Sequence, residues 1–86
     1  MDDACYIGDI GKVKELLNRG ITPNYQDVYG MTPLMCASIW GYDQIVKLLL
    51  DTGESHPEYK NKYGLTALDF ANQRRYAKIV KLIEKI

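Results

Sequence analysis

The chain has 86 residues and a mass of 9.8 kDa, enough for one domain or one short array of repeats and too little for a catalytic domain with a regulator. Apolar residues make up 47% and charged residues 26%, a balance typical of folded proteins and not of disordered tails. Eleven basic residues offset eleven acidic ones, so bulk charge drives the chain onto neither nucleic acid nor a membrane.

The opening MDDACYIGDI is acidic and lacks a basic stretch followed by an apolar one, so no secretory leader is expected. IVKLLL, the most apolar window, is short and interrupted by Lys47, which excludes a spanning helix. Two cysteines, Cys5 and Cys36, make neither a disulfide scaffold nor a metal cluster. A reducing, intracellular and cytoplasmic setting is expected, with no cofactor and no metal.

In chain order, short helices are expected over 3–7 and 12–18, followed by an extended turn over 21–31. Thr32 then offers an N-cap hydroxyl and Pro33 a first helical residue whose missing N–H is not needed. This third helix should run to about Ile39 and stop near Gly41. A fourth begins around Asp43, carries Ile45, Val46, Leu48 and Leu49 at helical spacing, and closes at Gly53 as a left-handed C-cap. A second extended turn spans 54–65, with Asn61 and Gly64 where the first has Asp27 and Gly30. Thr66 caps a helix over 67–73, with Asp69 favourable at its positive start, and a last helix is expected over 77–85.

The chain also repeats itself. Shifted by 34, residues 28–50 overlay 62–84 with ten identities in 23 positions: Tyr29, Gly30, Thr32, Leu34, Ala37, Tyr42, Ile45, Val46, Lys47 and Leu48 recur at Tyr63, Gly64, Thr66, Leu68, Ala71, Tyr76, Ile79, Val80, Lys81 and Leu82. A shift of 33 places Ala4, Gly8, Val13, Lys14, Leu16, Leu17 and Gly20 on Ala37, Gly41, Val46, Lys47, Leu49, Leu50 and Gly53. GITP (20–23) answers GESHP (53–57), so one residue is inserted before Pro57, a change that a surface loop tolerates.

DVYGMTPLMCASIWGYDQIVKLLLDTG (27–53) resembles an ankyrin repeat, GITPNYQDVYG (20–30) is similar to that family's inter-repeat loop, and YGLTALDFA (63–71) to its C-terminal repeats. The resemblance covers nearly the whole chain. It implies an all-α solenoid of three helix-turn-helix units with projecting β-turn loops. These form one domain: an N-terminal capping repeat over 1–30, a central repeat over 31–64 and a C-terminal capping repeat over 65–86. Three residues depart from the family pattern: Met35 stands where histidine is usual, Arg75 replaces the inter-helix glycine and Ala67 replaces proline. At the position of Ile45 and Ile79 the first unit has Lys12, and at that of Leu17 and Leu50 the last has Glu84. A charge at each end of the array is expected of caps, and so of a complete array of modest stability.

Catalysis is not expected. His56, the one histidine, falls in the inserted loop residue beside Pro57, with no oriented partner or pocket expected for a general base. Cys5 and Cys36 sit beside Ala4 and Ala37, where small residues let helices approach, and read as packing thiols. No phosphate-binding, dinucleotide, zinc or CxxC motif occurs.

In ankyrin repeats the turn tips and the inner ridge of the first helices line a concave surface that meets partner proteins. Carried over position by position, that surface takes Tyr6 and Ile7, then Val28, Tyr29, Met31, Cys36, Ile39 and Trp40, then Lys62, Tyr63, Leu65, Phe70, Gln73 and Arg74. The expected partner-binding set is Tyr6, Val28, Tyr29, Met31, Ile39, Trp40, Lys62, Tyr63, Leu65 and Arg74. Large apolar and aromatic residues dominate slots that could hold anything soluble, and Tyr, Trp and Arg carry much of the energy of interfaces. The alternative for Leu65 and Phe70 is that they seal the last unit, and for Ile7 that it packs on the first helix pair.

The expected function is therefore a non-catalytic protein–protein interaction module, with Lys62 and Arg74 meeting acidic groups at the rim. The alternative is a binder of anionic ligands, whether RNA, acidic lipid or acidic peptide. Residues 1–59 hold four basic and nine acidic residues, whereas 60–86 hold seven and two. Lys78, Lys81 and Lys85 share one helical stripe, which an ordinary solvated face also explains, so nucleic acid is not the expected partner. A monomer is expected, with weak self-association through the apolar face or the ends as a further alternative.

Overall fold

The computed structural model describes residues 2–85; residues 1 and 86, the outer limits of the expected terminal units, lie outside them. Six helices follow in order: α1 (Asp2–Ile7), α2 (Ile10–Asn18), α3 (Pro33–Trp40), α4 (Asp43–Asp51), α5 (Ala67–Arg74) and α6 (Ala77–Glu84). No strand occurs among the described residues. Helix α2 starts two residues earlier than expected from the plan of the central unit, because the Asp9 carboxylate accepts the Lys12 N–H at 3.0 Å and caps the helix there.

The helices pair as α1–α2, α3–α4 and α5–α6, and the pairs stack. Helix α3 packs between α1 and α5, and α4 between α2 and α6, which makes an inner and an outer row. Ala4, Ala37 and Ala71 are buried at equivalent places on the inner helices. Their carbonyls accept the N–H of Asp9, Tyr42 and Tyr76 at 2.9, 3.0 and 3.0 Å, so each pair turns its corner in the same way.

Burial follows position in the stack. Leu34 and Val46 of the central pair are sealed, whereas their equivalents Leu68 and Val80 in the last pair are half-buried. Ile45 and Ile79 are buried, and Lys12, at the same position of the first pair, is exposed. Glu84 is exposed likewise. Each face is apolar where a neighbouring pair covers it.

Adjacent pairs interlock through a ring and a notch. A β-carbon built on Gly8 would lie 2.8 Å from the Tyr42 ring, and one on Gly41 2.9 Å from the Tyr76 ring. The Tyr42 hydroxyl also donates to the Tyr6 carbonyl at 3.2 Å. Arg75, the next residue in this series, keeps the left-handed backbone (φ 60°) without glycine's freedom to adopt it.

The helix starts show how the chain accommodates one of the family departures, Met35. In α3 the Thr32 hydroxyl accepts the Met35 N–H at 3.1 Å, and the Met35 side chain is buried in the core where the family usually places an imidazole. In α5 the equivalent residue, Asp69, completes a reciprocal capping box with Thr66, at 3.0 and 3.2 Å. Ser38, buried on α3, donates to the Leu34 carbonyl at 2.7 Å, so its hydroxyl is not stranded in the core.

The loops between pairs are tight turns that project beside one another. Asp27 Oδ1 accepts the N–H groups of Tyr29 and Met31, both at 2.9 Å, and Asn61 Oδ1 accepts those of Tyr63 and Leu65 at 2.9 and 3.0 Å. The Lys62 N–H donates to the Tyr29 carbonyl at 2.9 Å and ties one tip to the next, while Gln26 bridges the Gly30 and Lys60 carbonyls. Gly30 is at φ 76°, and a β-carbon there would lie 2.9 Å from the backbone of Asn61 and Lys62. Gly64 shares the angle (φ 79°) but faces open space. Urea unfolding should therefore separate the two: Gly64→Ala is expected to cost about 1 kcal/mol, from backbone conformation alone, and Gly30→Ala about 2–3 kcal/mol because the loops must also part.

Candidate functional site

The inner helices and the two loop tips enclose a groove of about 490 Å3. Its lining is Tyr6 from α1, Asp27, Tyr29 and Met31 from the first tip, Cys36, Ile39 and Trp40 from α3, Asn61, Tyr63 and Leu65 from the second tip, and Phe70 from α5. Each of these positions lines up with, or lies beside, another lining position one unit away, so the stacking of the units brings them together. The Tyr6 and Trp40 rings meet at 5.4 Å between centroids in a tilted arrangement, inclined at 58°, within the range of favourable aromatic pairs. They nevertheless stay open to solvent: Tyr6 is 58% exposed, Tyr29 58%, Trp40 45% and Tyr63 74%. The fold buries none of these four rings.

Of the expected partner-binding residues, Tyr6, Tyr29, Met31, Ile39, Trp40, Tyr63 and Leu65 line the groove. Val28 stands almost fully exposed at the tip of its turn, outside the lining. Lys62 and Arg74 are exposed and also lie outside it. Ile7 is exposed and does not pack on the first helix pair. Phe70 has both roles, packing against the core and lining the groove. Asp27 and Asn61, read from the sequence as turn residues, also form part of the groove wall; their separation of 34 residues, matching that of Tyr29 and Tyr63, was the available signal.

Away from the groove, His56 has a partner that the sequence did not suggest. Its Nδ1 lies 3.0 Å from Glu58 Oε2, and its ring stacks on Tyr59 at 4.4 Å. The inserted residue takes a left-handed backbone (φ 50°), which turns the imidazole back along its own loop. The Glu58 carboxyl is held below its ordinary range, first by its own backbone N–H and then by the hydrogen bond with His56. Cys5 and Cys36 are buried on inner helices, and no group of three or more potential metal ligands gathers among the described residues.

Lys78 Nζ is 2.9 Å from Asp43 Oδ2 and clips α6 to α4. Arg75 and Lys81 line a shallow hollow on the end face, which they share with Glu84. No helix among the described residues is long and apolar enough to cross a membrane.

Stacked helix pairs joined by projecting turns, with an open inner face, define an ankyrin-type solenoid. Comparison with known proteins agrees: the family model for ankyrin repeats, in three copies, matches residues 1–85, and the chain belongs to the ankyrin repeat family. It is 38% identical over 50 residues to the ankyrin repeat-containing protein YIL001W of Saccharomyces cerevisiae. Over 50 residues it is also 44% identical to the human ankyrin repeat, SAM and basic leucine zipper domain-containing protein 1. Each match covers 58% of this chain and 10% of the relative, so the chain matches about a tenth of those proteins. Among solved structures it is similar to a chain in the complex of the predatory endopeptidase Bd0816 from Bdellovibrio bacteriovorus with the immunity protein Bd3460. The TM-score is 0.90 at 40% identity, over 98% of this chain and 44% of that one. Ankyrin repeats generally serve in protein–protein interaction and are generally not enzymes.

The Lys78–Asp43 pair yields a test of the charge placement. The hydrogen bond from Lys78 is the main cause holding the Asp43 carboxyl below its ordinary value. The pair therefore stabilises the fold at neutral pH and stops doing so as the carboxyl protonates, below about pH 4. In Lys78→Met the Asp43 titration, followed by NMR, should move up toward the ordinary value. Stability at pH 7 should fall by less than about 1 kcal/mol because the pair is exposed, and the two proteins should converge in acid.

Proposed function

We propose that this chain is a non-catalytic docking module that holds a partner protein against its concave face. One observation carries the reading: five of the chain's nine aromatic residues line a single groove, and four of them remain substantially exposed. Exposed rings on one rigid surface are costly to leave in water and common at interfaces, where a fully buried ring contributes about 2 kcal/mol. The scaffold arrives pre-ordered, so little freedom is lost on binding. Tyr6, Tyr29, Trp40 and Tyr63 form the anchor, with Met31, Ile39 and Leu65 as its apolar floor. Val28, Lys62 and Arg74 lie outside the groove and act at the rim, where exposed charges set orientation and association rate more than affinity. The unit boundaries at 30/31 and 64/65 place one loop tip at each end of the central repeat.

The similar chain of known structure belongs to a complex between an endopeptidase and an immunity protein, which supports a folded protein as the partner. The Trp40→Ala, Tyr63→Ala double variant should keep the wild-type circular dichroism and lose no more than about 1 kcal/mol of stability, since both rings are exposed. In a pulldown from the source cell's lysate it should lose the specific prey that the wild type retains. Undiminished capture by the double variant would remove the groove from the interface.

A further inference from the structure

The groove presents two kinds of negative potential. Its walls hold five aromatic rings, whose π-faces carry partial negative charge, and its one charged lining residue is Asp27. Rings and carboxylate attract the same guest. An aliphatic guest would gain from burial alone and would desolvate the carboxylate without giving it a partner.

The charge on Asp27 is not required by the turn it closes. Asp27 Oδ1 accepts two backbone N–H groups, and 34 residues later the neutral amide of Asn61 accepts the equivalent two at the same lengths to within 0.1 Å. Among the described residues, Asp27 belongs to none of the ion pairs, which are Lys12–Glu15, Arg19–Glu15, His56–Glu58 and Lys78–Asp43. Lys62 and Arg74 are close along the array but outside the lining, so no basic side chain of the chain itself lines the groove.

We propose that the groove receives a cationic side chain, arginine or lysine, projecting from the surface of a partner protein. The alkyl stem rests on Met31, Ile39 and Leu65, and the charged head sits against the rings and the Asp27 carboxylate. This assignment rests on the docking reading above and adds the chemistry of the guest.

Trp40 is the chain's one tryptophan, so its fluorescence reports on the groove directly. The probes are acetyl-glycyl-X-glycine amides with X as arginine, lysine, citrulline or leucine, titrated at low salt. The arginine and lysine probes should bind about five-fold more tightly than citrulline, the size expected of a cation on partly exposed rings. Asp27→Asn keeps the turn, as Asn61 does, and circular dichroism verifies this. It should weaken the arginine probe about three-fold and leave the leucine probe unchanged. Equal binding of arginine and citrulline, tighter binding of leucine, or no charge-dependent response at all would overturn the cationic guest. The docking reading is judged separately, by partner capture with the Trp40 and Tyr63 double variant. If that capture is lost while the charge arms stay level, the groove docks a partner through an apolar residue instead.

Discussion

The close approach of one helix pair to the next is the constraint from which the rest of this molecule follows. It requires a small residue at the centre of each inner helix, met by Ala4, Ala37 and Ala71, and a notch for the next tyrosine, met by Gly8 and Gly41. With those satisfied, Leu34, Val46, Ile45 and Leu49 lose nearly all contact with water, and the central pair becomes the core of the whole chain. A protein this small cannot seal a separate core in each unit, so stability is shared across the contacts between pairs. In the first and last of the described pairs the pattern changes. Lys12, Glu84 and Arg75 occupy the three places where the pattern would otherwise call for an apolar side chain or a glycine.

The same stacking creates the concave face. Repetition at 33 and then 34 residues aligns the positions that packing leaves free as well as those that it uses. Residues that never touch in sequence, such as Tyr6 and Trp40, or the tips carrying Tyr29 and Tyr63, arrive side by side without any element dedicated to joining them. The backbone bond between the tips, Lys62 N–H to the Tyr29 carbonyl, holds the groove wall at a set width. The rigidity of the array and the open groove therefore have one cause, and the free positions can change chemistry with little effect on the fold.

Much of this was legible in the sequence because its signals are local or strictly periodic. Thr32-Pro33 and Thr66 with Asp69 marked helix starts by their own hydrogen-bonding chemistry, and both caps form as expected. Helix α2 starts at Ile10 and not at residue 12 because the Asp9 carboxylate caps it there, a local hydrogen bond that the alignment of the repeats does not reveal. The partner of His56 was missed because the insertion bends the chain locally, and neither periodicity nor composition carries information about that bend. Ile7, Val28, Lys62 and Arg74 shared the register of the inner face, yet register gives a direction and not a depth.

By itself the sequence determined the repeat length, the three helix pairs and the family, since each depends on spacing along the chain and on the contrast between apolar and polar side chains. Only the tertiary structure decided which free residues share one groove, that four rings there stay in contact with water, and that a turn aspartate faces the same space. Those outcomes depend on the distance and tilt between successive pairs, which are set by how tyrosine fits against glycine and alanine against its neighbours, and no pattern along a single chain encodes such a fit.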